Sequence, residues 1–240
     1  MNKRKILIIS DSHLTEHGEG NAVFHSLLKK ISTSSYDVLF LGDIFDVWIG
    51  CPGYETQIHH EFMAWCREEV TKRRIWFVEG NHEFFIFRNR SSCFTEVFPQ
   101  SCVLDDGTLY AAHGDLVNYH DHAFTFLRAL LRNPATYVLL RLFGLTGWGY
   151  RFSGKVRKDL KGTNQKQKHY FPSRELHELD EILGDCGIKT GVLGHFHRSG
   201  QEGRLCLLNQ FTGPDYEVGI YESGKGIRRV RLSELPEVLE

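Results

Sequence analysis

The sequence predicts an α/β fold in which two sheets pack face to face with helices on their outer sides. Three observations predict it. Short apolar runs of strand length recur, each ending at a glycine or a small polar cluster. Amphipathic helical stretches separate several of these runs. From residue 204 on, the chain then carries only strand-like runs broken by Gly-containing turns.

The first run, KILIIS at residues 5–10, leads to a helical face of Val23, Leu27, Leu28 and Ile31. YDVLFLGD (36–43) precedes a second helix, with Ile58, Phe62, Met63, Trp65, Cys66 and Val70 on one side, and RIWFVEGN (74–81) follows it. TLYAAHGD (108–115) and KTGVLGHFH (189–197) bracket a long segment that ends in a third helical face of Leu176, Leu179, Ile182 and Leu183. Near-continuous aliphatic content suits strands buried on both faces. RLCLLNQF, YEVGIYE and GIRRVRL close the chain as strands with no helix between them.

A chain of 240 residues, 41% hydrophobic and 25% charged, is long enough to bury one sizeable core, so residues 1–240 are expected to form a single domain. The N-terminal apolar run, Ile6–Ile9, is too short for a signal peptide, and no stretch approaches the roughly 18 apolar residues of a membrane span. These features predict a cytoplasmic protein and leave open a peripheral position on the inner face of the membrane. Cysteines 51, 66, 93, 102, 186 and 206 show no C-x-x-C spacing and are expected as reduced thiols in the core. The net charge of −1 conceals a segregation: residues 116–170 hold ten Lys/Arg against Asp121 and Asp159, which is +8, leaving −9 for the remainder. Such a segment points to an anionic partner.

All five strand-like runs up to residue 197 end in residues able to bind a metal. DSH supplies Asp11 and His13, GDIFD Asp43 and Asp46, GNHE Asn81, His82 and Glu83, HGD His113 and Asp115, and GHFH His195 and His197. Alternate residues of a strand share a face, so D-x-H and H-x-H are expected to present their side chains side by side. Carboxyl ends of strands in an open α/β sheet are where ligands bind, which lets motifs distant in sequence converge. The donor set of carboxylate, imidazole and amide without thiolate suits Mn, Fe or Zn rather than a soft thiolate site or an all-oxygen Ca or Mg site. Seven candidate ligands exceed one tetrahedral ion, and a bridging carboxylate resolves the count. A covalent serine or cysteine nucleophile is poorly supported, since there is no G-x-S-x-G and no cysteine lies among the motifs.

The motif series D-x-H, G-D-x-x-D, G-N-H-[DE], a further His and G-H-x-H resembles that of the calcineurin-like metallophosphoesterases. The resemblance implies a four-layer αββα sandwich and two divalent ions, with Mn²⁺ first and Fe or Zn as alternatives. It implies Asp11, His13, Asp43 and His197 at one ion and Asp43, Asn81, His113 and His195 at the other, with Asp43 as bridge. His82 would face the scissile phosphate as a cation or proton donor, with Glu83 holding its tautomer. Asp46 and Asp115 would orient ligand groups. Two ions about 4 Å apart activate water for in-line attack on phosphorus.

Residues 117–171 are read as an inserted lid, helical, basic and apolar. Phe126, Leu130, Ala123, Leu127, Leu131 and Phe124 cover one helical arc with Arg128 and Arg132 beyond its edge, and Pro134 opens a second greasy stretch, Tyr137–Leu145. The pattern fits a hairpin docked on the core. It equally fits a segment that lies on an anionic membrane or wraps acyl chains. GDIFDVWIG, HGDLVNYHD, the apolar insertion and its Lys/Arg/Asn-rich continuation resemble the UDP-2,3-diacylglucosamine pyrophosphatases of lipid A synthesis. That resemblance implies a hydrolase that converts a lipid-linked nucleotide diphosphate to UMP and an acylated sugar phosphate, with Asp121, Arg157, Asn164 and Lys168 binding substrate. GNHE stands where that family carries G-N-R-D, which changes the phosphate-facing side chain. The competing readings are a phosphodiesterase or nuclease of other specificity and a non-catalytic scaffold. The complete ligand set disfavours the scaffold. Basic residues interleaved with aliphatics rather than exposed aromatics on strands disfavour nucleic acid.

Overall fold

The computed structural model describes residues 4–146, 148, 149, 171–214 and 216–235. One sheet runs β13–β12–β1–β2–β4–β6, numbered along the chain. Its parallel members are β1 (Lys5–Ile9), β2 (Asp37–Phe40), β4 (Ile75–Val78) and β6 (Glu96–Phe98), and β12 (Glu217–Glu222) and β13 (Gly226–Arg231) extend it antiparallel. The other sheet runs β10–β11–β9–β8–β7, from β7 (Ser101–Leu104), β8 (Leu109–Ala112), β9 (Thr190–Leu193), β10 (Gly200–Glu202) and β11 (Leu205–Leu207). In its centre β8, β9 and β11 are parallel. A short pair, β3 (Trp48–Ile49) with β5 (Glu83–Phe84), lies apart from both.

Strand alternation creates the layers. Ile6 and Ile8 of β1 turn inward to meet Leu109, Ala111, Val192 and Cys206 of the second sheet, while Leu7 and Ile9 turn outward. Outward they meet α1 (Gly20–Ser32) and α2 (Gln57–Glu69), which place Phe24, Leu27, Leu28, Ile31, Ile58, Phe62 and Met63 on the first sheet. Burying the four apolar residues of α1 contributes on the order of 6–12 kcal/mol before chain entropy is charged against it. On the far side the helix Ser173–Asp185, here α6, sets Leu176 and Leu183 against Ala112, Leu193, Leu205 and Leu207. The order helix, sheet, sheet, helix is the expected αββα sandwich.

The apolar runs became strands shorter than the runs themselves, so the motif residues lie on loops just past the strand ends. Residues 83–104 form β5, a one-turn helix α3 (Ile86–Asn89), β6 and β7, none of which the periodicity announced. Elements of two to four residues are too short to display a period. The described cysteines are all unpaired, and only Cys186 is exposed.

The described part of the insertion is a pair of helices. Asp121 caps α4 (His122–Leu131) by accepting from the Phe124 N–H at 2.9 Å, and Asn133 caps α5 (Pro134–Gly144) by accepting from Thr136 N–H at 2.9 Å, with Pro134 in the first turn. No residue of α4 is buried, and in α5 only Gly144 is. Leu131, Tyr137 and Leu140 rest on a small cluster of Val47, Ile49, Tyr54, Phe84 and Phe85. Phe126, Leu130, Val138, Leu139 and Leu142 face outward, Phe126 being 70% exposed. No helix among the described residues is long and apolar enough to cross a membrane.

Candidate metal centre

The donor residues sit on the loops after β1, β2, β4, β8 and β9, and both sheets contribute. Asp11, His13 and His197 bring one donor atom each to within 4.8 Å of one another, and Asp43, His113 and His195 do the same. In the first group His13 Nε2 and His197 Nε2 are 3.2 Å apart, and His197 Nε2 is 3.3 Å from Asp11 Oδ1. In the second, His113 Nε2 is 3.3 Å from Asp43 Oδ2 and 3.2 Å from Asn81 Oδ1. All seven expected ligands therefore gather at one place.

The spacing argument for the histidines needs correction. His195 and His197 do not stand side by side on a strand; one joins each group. The cause is the backbone, because Asp11, His13, Asp43, His195 and His197 all adopt left-handed conformations, with φ of 52°, 43°, 51°, 67° and 50°. Non-glycine residues rarely do so, and such strain clusters where a site demands a particular direction. On turned backbone past the strand ends, strand alternation no longer decides which side chains share a face: Asp11 and His13 stay together, and His195 and His197 part.

Two glycines of the motifs are dictated by close approach. A Cβ on Gly80 would lie 2.3 Å from Asp43 Oδ1 and 2.7 Å from the Asp43 nitrogen. One on Gly194 would lie 2.0 Å from Ser10 Oγ and 2.4 Å from Asp11 Oδ2. Hydrogen bonds then fix the donors. Asp11 Oδ2 accepts from Ser10 Oγ at 2.5 Å and from the His195 N–H at 2.9 Å, and Asp43 Oδ1 accepts from the His82 N–H at 2.9 Å. His113 Nδ1 donates to the Leu41 carbonyl at 2.9 Å, which fixes the ring with Nε2 facing Asp43 and Asn81.

Glu83 acts differently from the expectation. Its buried carboxylate accepts from the N–H groups of Asp43, Ile44 and Gly80, each at 2.8 Å, and so ties two ligand loops together. The His82 tautomer is instead set by the Asp46 carbonyl, which accepts from Nδ1 at 2.5 Å. His82 Nε2 is left 3.7 Å from Asp43 Oδ2, with its ring centroid 5.0 Å from that of His13. Asp46 Oδ1 lies 3.9 Å from His13 Nδ1, beyond hydrogen-bond reach, and Asp46 also forms a close group with His13 and His82. Asp115 accepts from Arg128 Nε at 2.7 Å.

Charges in the site are mutually set. Burial pushes the Asp11 carboxyl up, but His113 and His197 outweigh it and bring it down to about 2. Burial likewise opposes ionisation of Asp43, and His113 and His82 overcome it, holding the group well below the usual carboxylate range. Burial depresses His113, yet Asp43 and Asp11 dominate and raise it well above its ordinary value. Burial and then His113 push His195 down to about 4. Burial, followed by Asp43, lifts Glu83 to about 8.

These donors fit a divalent cation. Asp11 Oδ1 is fully buried and meets no hydrogen-bond partner among the described residues, while two imidazole nitrogens converge on it. An uncompensated buried carboxylate oxygen is costly, and a cation is the partner its surroundings accommodate. The donors are carboxylate, imidazole and amide, with no thiol among them.

Of the expected substrate-binding residues, Asp121 is the cap of α4, and Arg157, Asn164 and Lys168 lie outside the described residues. The sequence reading missed the roles of Arg128 and Arg132, which were expected on an outward basic face. Both turn inward. Arg128 pairs with Asp115, and Arg132 Nη2 donates to the carbonyls of Gly80 and Glu83. The absence of acids in the insertion had hidden the fact that its partners lie elsewhere in the chain.

Comparison with known proteins agrees with this geometry. The proteins named UDP-2,3-diacylglucosamine hydrolase from Ectopseudomonas mendocina (strain ymp) and Pseudomonas aeruginosa (strain UCBPP-PA14) are each 28% identical to the chain. The alignments cover 96% and 91% of this chain and 99% and 96% of those proteins. The protein of the same name from Azotobacter vinelandii is 26% identical over 91% of this chain and 95% of its own. Residues 4–199 match the family described as calcineurin-like phosphoesterase, which makes the protein a metal-dependent hydrolase. With its strand-end donors, its αββα layers and this match all in agreement, the chain belongs to the calcineurin-like phosphoesterase family.

Proposed function

We infer that the protein hydrolyses the pyrophosphate bond of UDP-2,3-diacylglucosamine or a close lipid-linked nucleotide, giving UMP and an acylated sugar phosphate. The observation that carries this reading is the juxtaposition of two adjoining donor groups with a helical pair whose apolar side chains face outward. The first supports attack at phosphorus, and the second supports a substrate with acyl chains. The near full-length alignment to proteins named for that substrate supports the same choice.

Asp11, His13, Asp43 and His197 would hold one ion and Asp43, Asn81, His113 and His195 the other, with Mn²⁺ the first candidate. Such ions supply Lewis-acid activation of water and neutralise charge on the phosphoryl oxygens. The chain's own groups do the rest. Glu83 fixes the Asp43 and Gly80 loops through three N–H bonds, so Asp43 and Asn81 keep their relation as charge shifts. His82 is anchored through Nδ1, which leaves Nε2 facing the site, and as the imidazolium it would carry on Nε2 a proton for the leaving oxygen. Residues 117–171 form the lid of a single domain, 1–240, and its outward apolar residues hold acyl chains and rest against the cytoplasmic membrane's inner face. Asp121, Arg157, Asn164 and Lys168 contact the sugar and phosphates.

The test is a parallel assay of the metal-loaded protein on UDP-2,3-diacylglucosamine, bis-p-nitrophenyl phosphate and single-stranded DNA. The lipid nucleotide is expected to give the highest kcat/KM, with release of UMP. Preference for DNA would replace this reading with a nuclease, and full activity in excess EDTA after dialysis would remove the metals from it.

A further inference from the structure

The first helix of the insertion is held to the core in an unusual way. None of α4 is buried, and its outer residues Phe126 and Leu130 are exposed. Its polar attachments are two arginines one turn apart. Arg128 Nε donates to Asp115, two residues after His113. Arg132 Nη2 donates to the carbonyls of Gly80 and Glu83, the residues that bracket Asn81 and His82. Asn81 Oδ1 and His113 Nε2 in turn approach to 3.2 Å. One helix is thus fastened to both loops that carry this donor pair.

Arg132 is placed as a tie rather than as a solvated surface charge. Its guanidinium lies 5.7 Å from the Phe84 ring centroid, and its Nε and Nη1 are buried without a hydrogen-bond partner among the described residues. Burial is the first cause depressing its pKa, followed by Arg128. An arginine free to choose would turn those nitrogens to water, so the two loop carbonyls set its position. Beside it lies a cleft of about 300 Å³ lined by Gln100, Leu116, Thr125, Arg128, Ala129 and Arg132.

We propose that Arg132 is a positioning residue that couples α4 to the Gly80–Glu83 loop, so that seating of the lid helix and binding of the ion at Asn81 and His113 strengthen each other. The inference rests on the two-ion reading above. Because linkage is reciprocal, an ion that orders the loop must shift the opening equilibrium of α4 toward the seated state by the same factor with which seated α4 tightens the ion.

The experiment measures metal content and Mn²⁺ affinity of the full-length protein, together with hydrogen exchange of residues 122–131 and, as a control, of α1. In wild type, saturating Mn²⁺ slows exchange in 122–131 by about fivefold or more and leaves α1 unchanged. Arg132→Met weakens the second ion by about tenfold or more, as loss of groups that orient ligands does, and abolishes the Mn²⁺ effect on α4. Arg132→Lys, which can still donate to both carbonyls, recovers part of each. Wild type that takes up two ions with α4 exchange unmoved overturns the coupling alone, whether or not the methionine variant folds. Wild type that takes up fewer than two ions overturns the two-ion reading and the coupling with it. An Arg132→Met protein with wild-type affinity for both ions also refutes the proposal.

Discussion

Gly80→Ala tests whether the position of Asp43 governs the site. Gly80 does not occupy the left-handed region, so alanine brings no backbone strain of its own and the cost is steric. The new methyl would sit 2.3 Å from Asp43 Oδ1 and 2.7 Å from the Asp43 nitrogen, against the 3.0 Å below which real contacts essentially never fall. Relief needs a shift of about 0.7 Å for the carboxylate and about 0.3 Å for the backbone, and a backbone nitrogen cannot rotate away. Overpacking of this kind costs about 1–3 kcal/mol. A displacement approaching 1 Å at a reacting centre lowers turnover by roughly 10- to 100-fold. The assay combines urea denaturation, ions retained per chain, and turnover of bis-p-nitrophenyl phosphate. Gly224→Ala is the control, since Gly224 has φ of +78° and nothing within 4 Å of its Cβ position. It should lose about 1–2 kcal/mol through strain while retaining turnover. If Gly80→Ala keeps wild-type turnover and metal content, the close approach of the two loops does not control Asp43 and the reasoning fails.

Other substitutions separate the remaining roles. Asp43→Ala should purify without either ion, whereas His82→Ala should keep both and lose roughly 10²- to 10⁴-fold in turnover; a metal-free His82→Ala protein would make His82 a ligand. Replacing Leu127 and Leu130 by serine should raise KM for the diacylated substrate, at about 0.8 kcal/mol per methylene no longer gripped, and spare the small diester. Parallel losses on both substrates would reduce the insertion to a structural prop. Glu69 is buried and accepts from Lys72 at 3.0 Å and Arg73 at 2.8 Å; burial raises its pKa, but these partners dominate and hold it below the usual value. The folded chain therefore binds that proton less readily than the unfolded one. The stabilisation is complete above about pH 4.3 and is lost as pH falls through the lower folded value. Glu69→Gln should flatten that acid limb in urea midpoints, and an unchanged slope would contradict it.

The strand-end motifs were readable because each pairs a strongly periodic or continuous apolar run with residues of one chemistry, and five such coincidences reinforce one another. What escaped reading depends on direction. The split of His195 from His197 follows from left-handed backbone after β9, which no hydrophobic pattern encodes. Glu83 was expected to hold the imidazole beside it in sequence, yet its three partners are main-chain N–H groups of Asp43, Ile44 and Gly80. Main-chain donors are the same at every residue, so sequence cannot single them out. Arg128 and Arg132 lay at the edge of an apolar arc and suggested a wet basic face. The helix is set the other way round, because the charges it answers to, Asp115 and the Gly80 and Glu83 carbonyls, belong to the sandwich.

Both donor groups straddle the sandwich. Asp11 and His13 follow a strand of the six-stranded sheet and His197 one of the five-stranded sheet, and Asp43 faces His113 and His195 across the same seam. The core between the two sheets is mainly apolar, built from Ile6, Ile8, Leu39, Leu41, Trp76, Leu109, Ala111 and Val192, and apolar attraction has little directional preference. Cations shared across that seam would act as rivets, converting a slippery apolar joint into one with fixed registration. Shear between the sheets would then be felt first as mismatched ligand distances, and the protein should lose its ions and its activity on warming before its layers come apart.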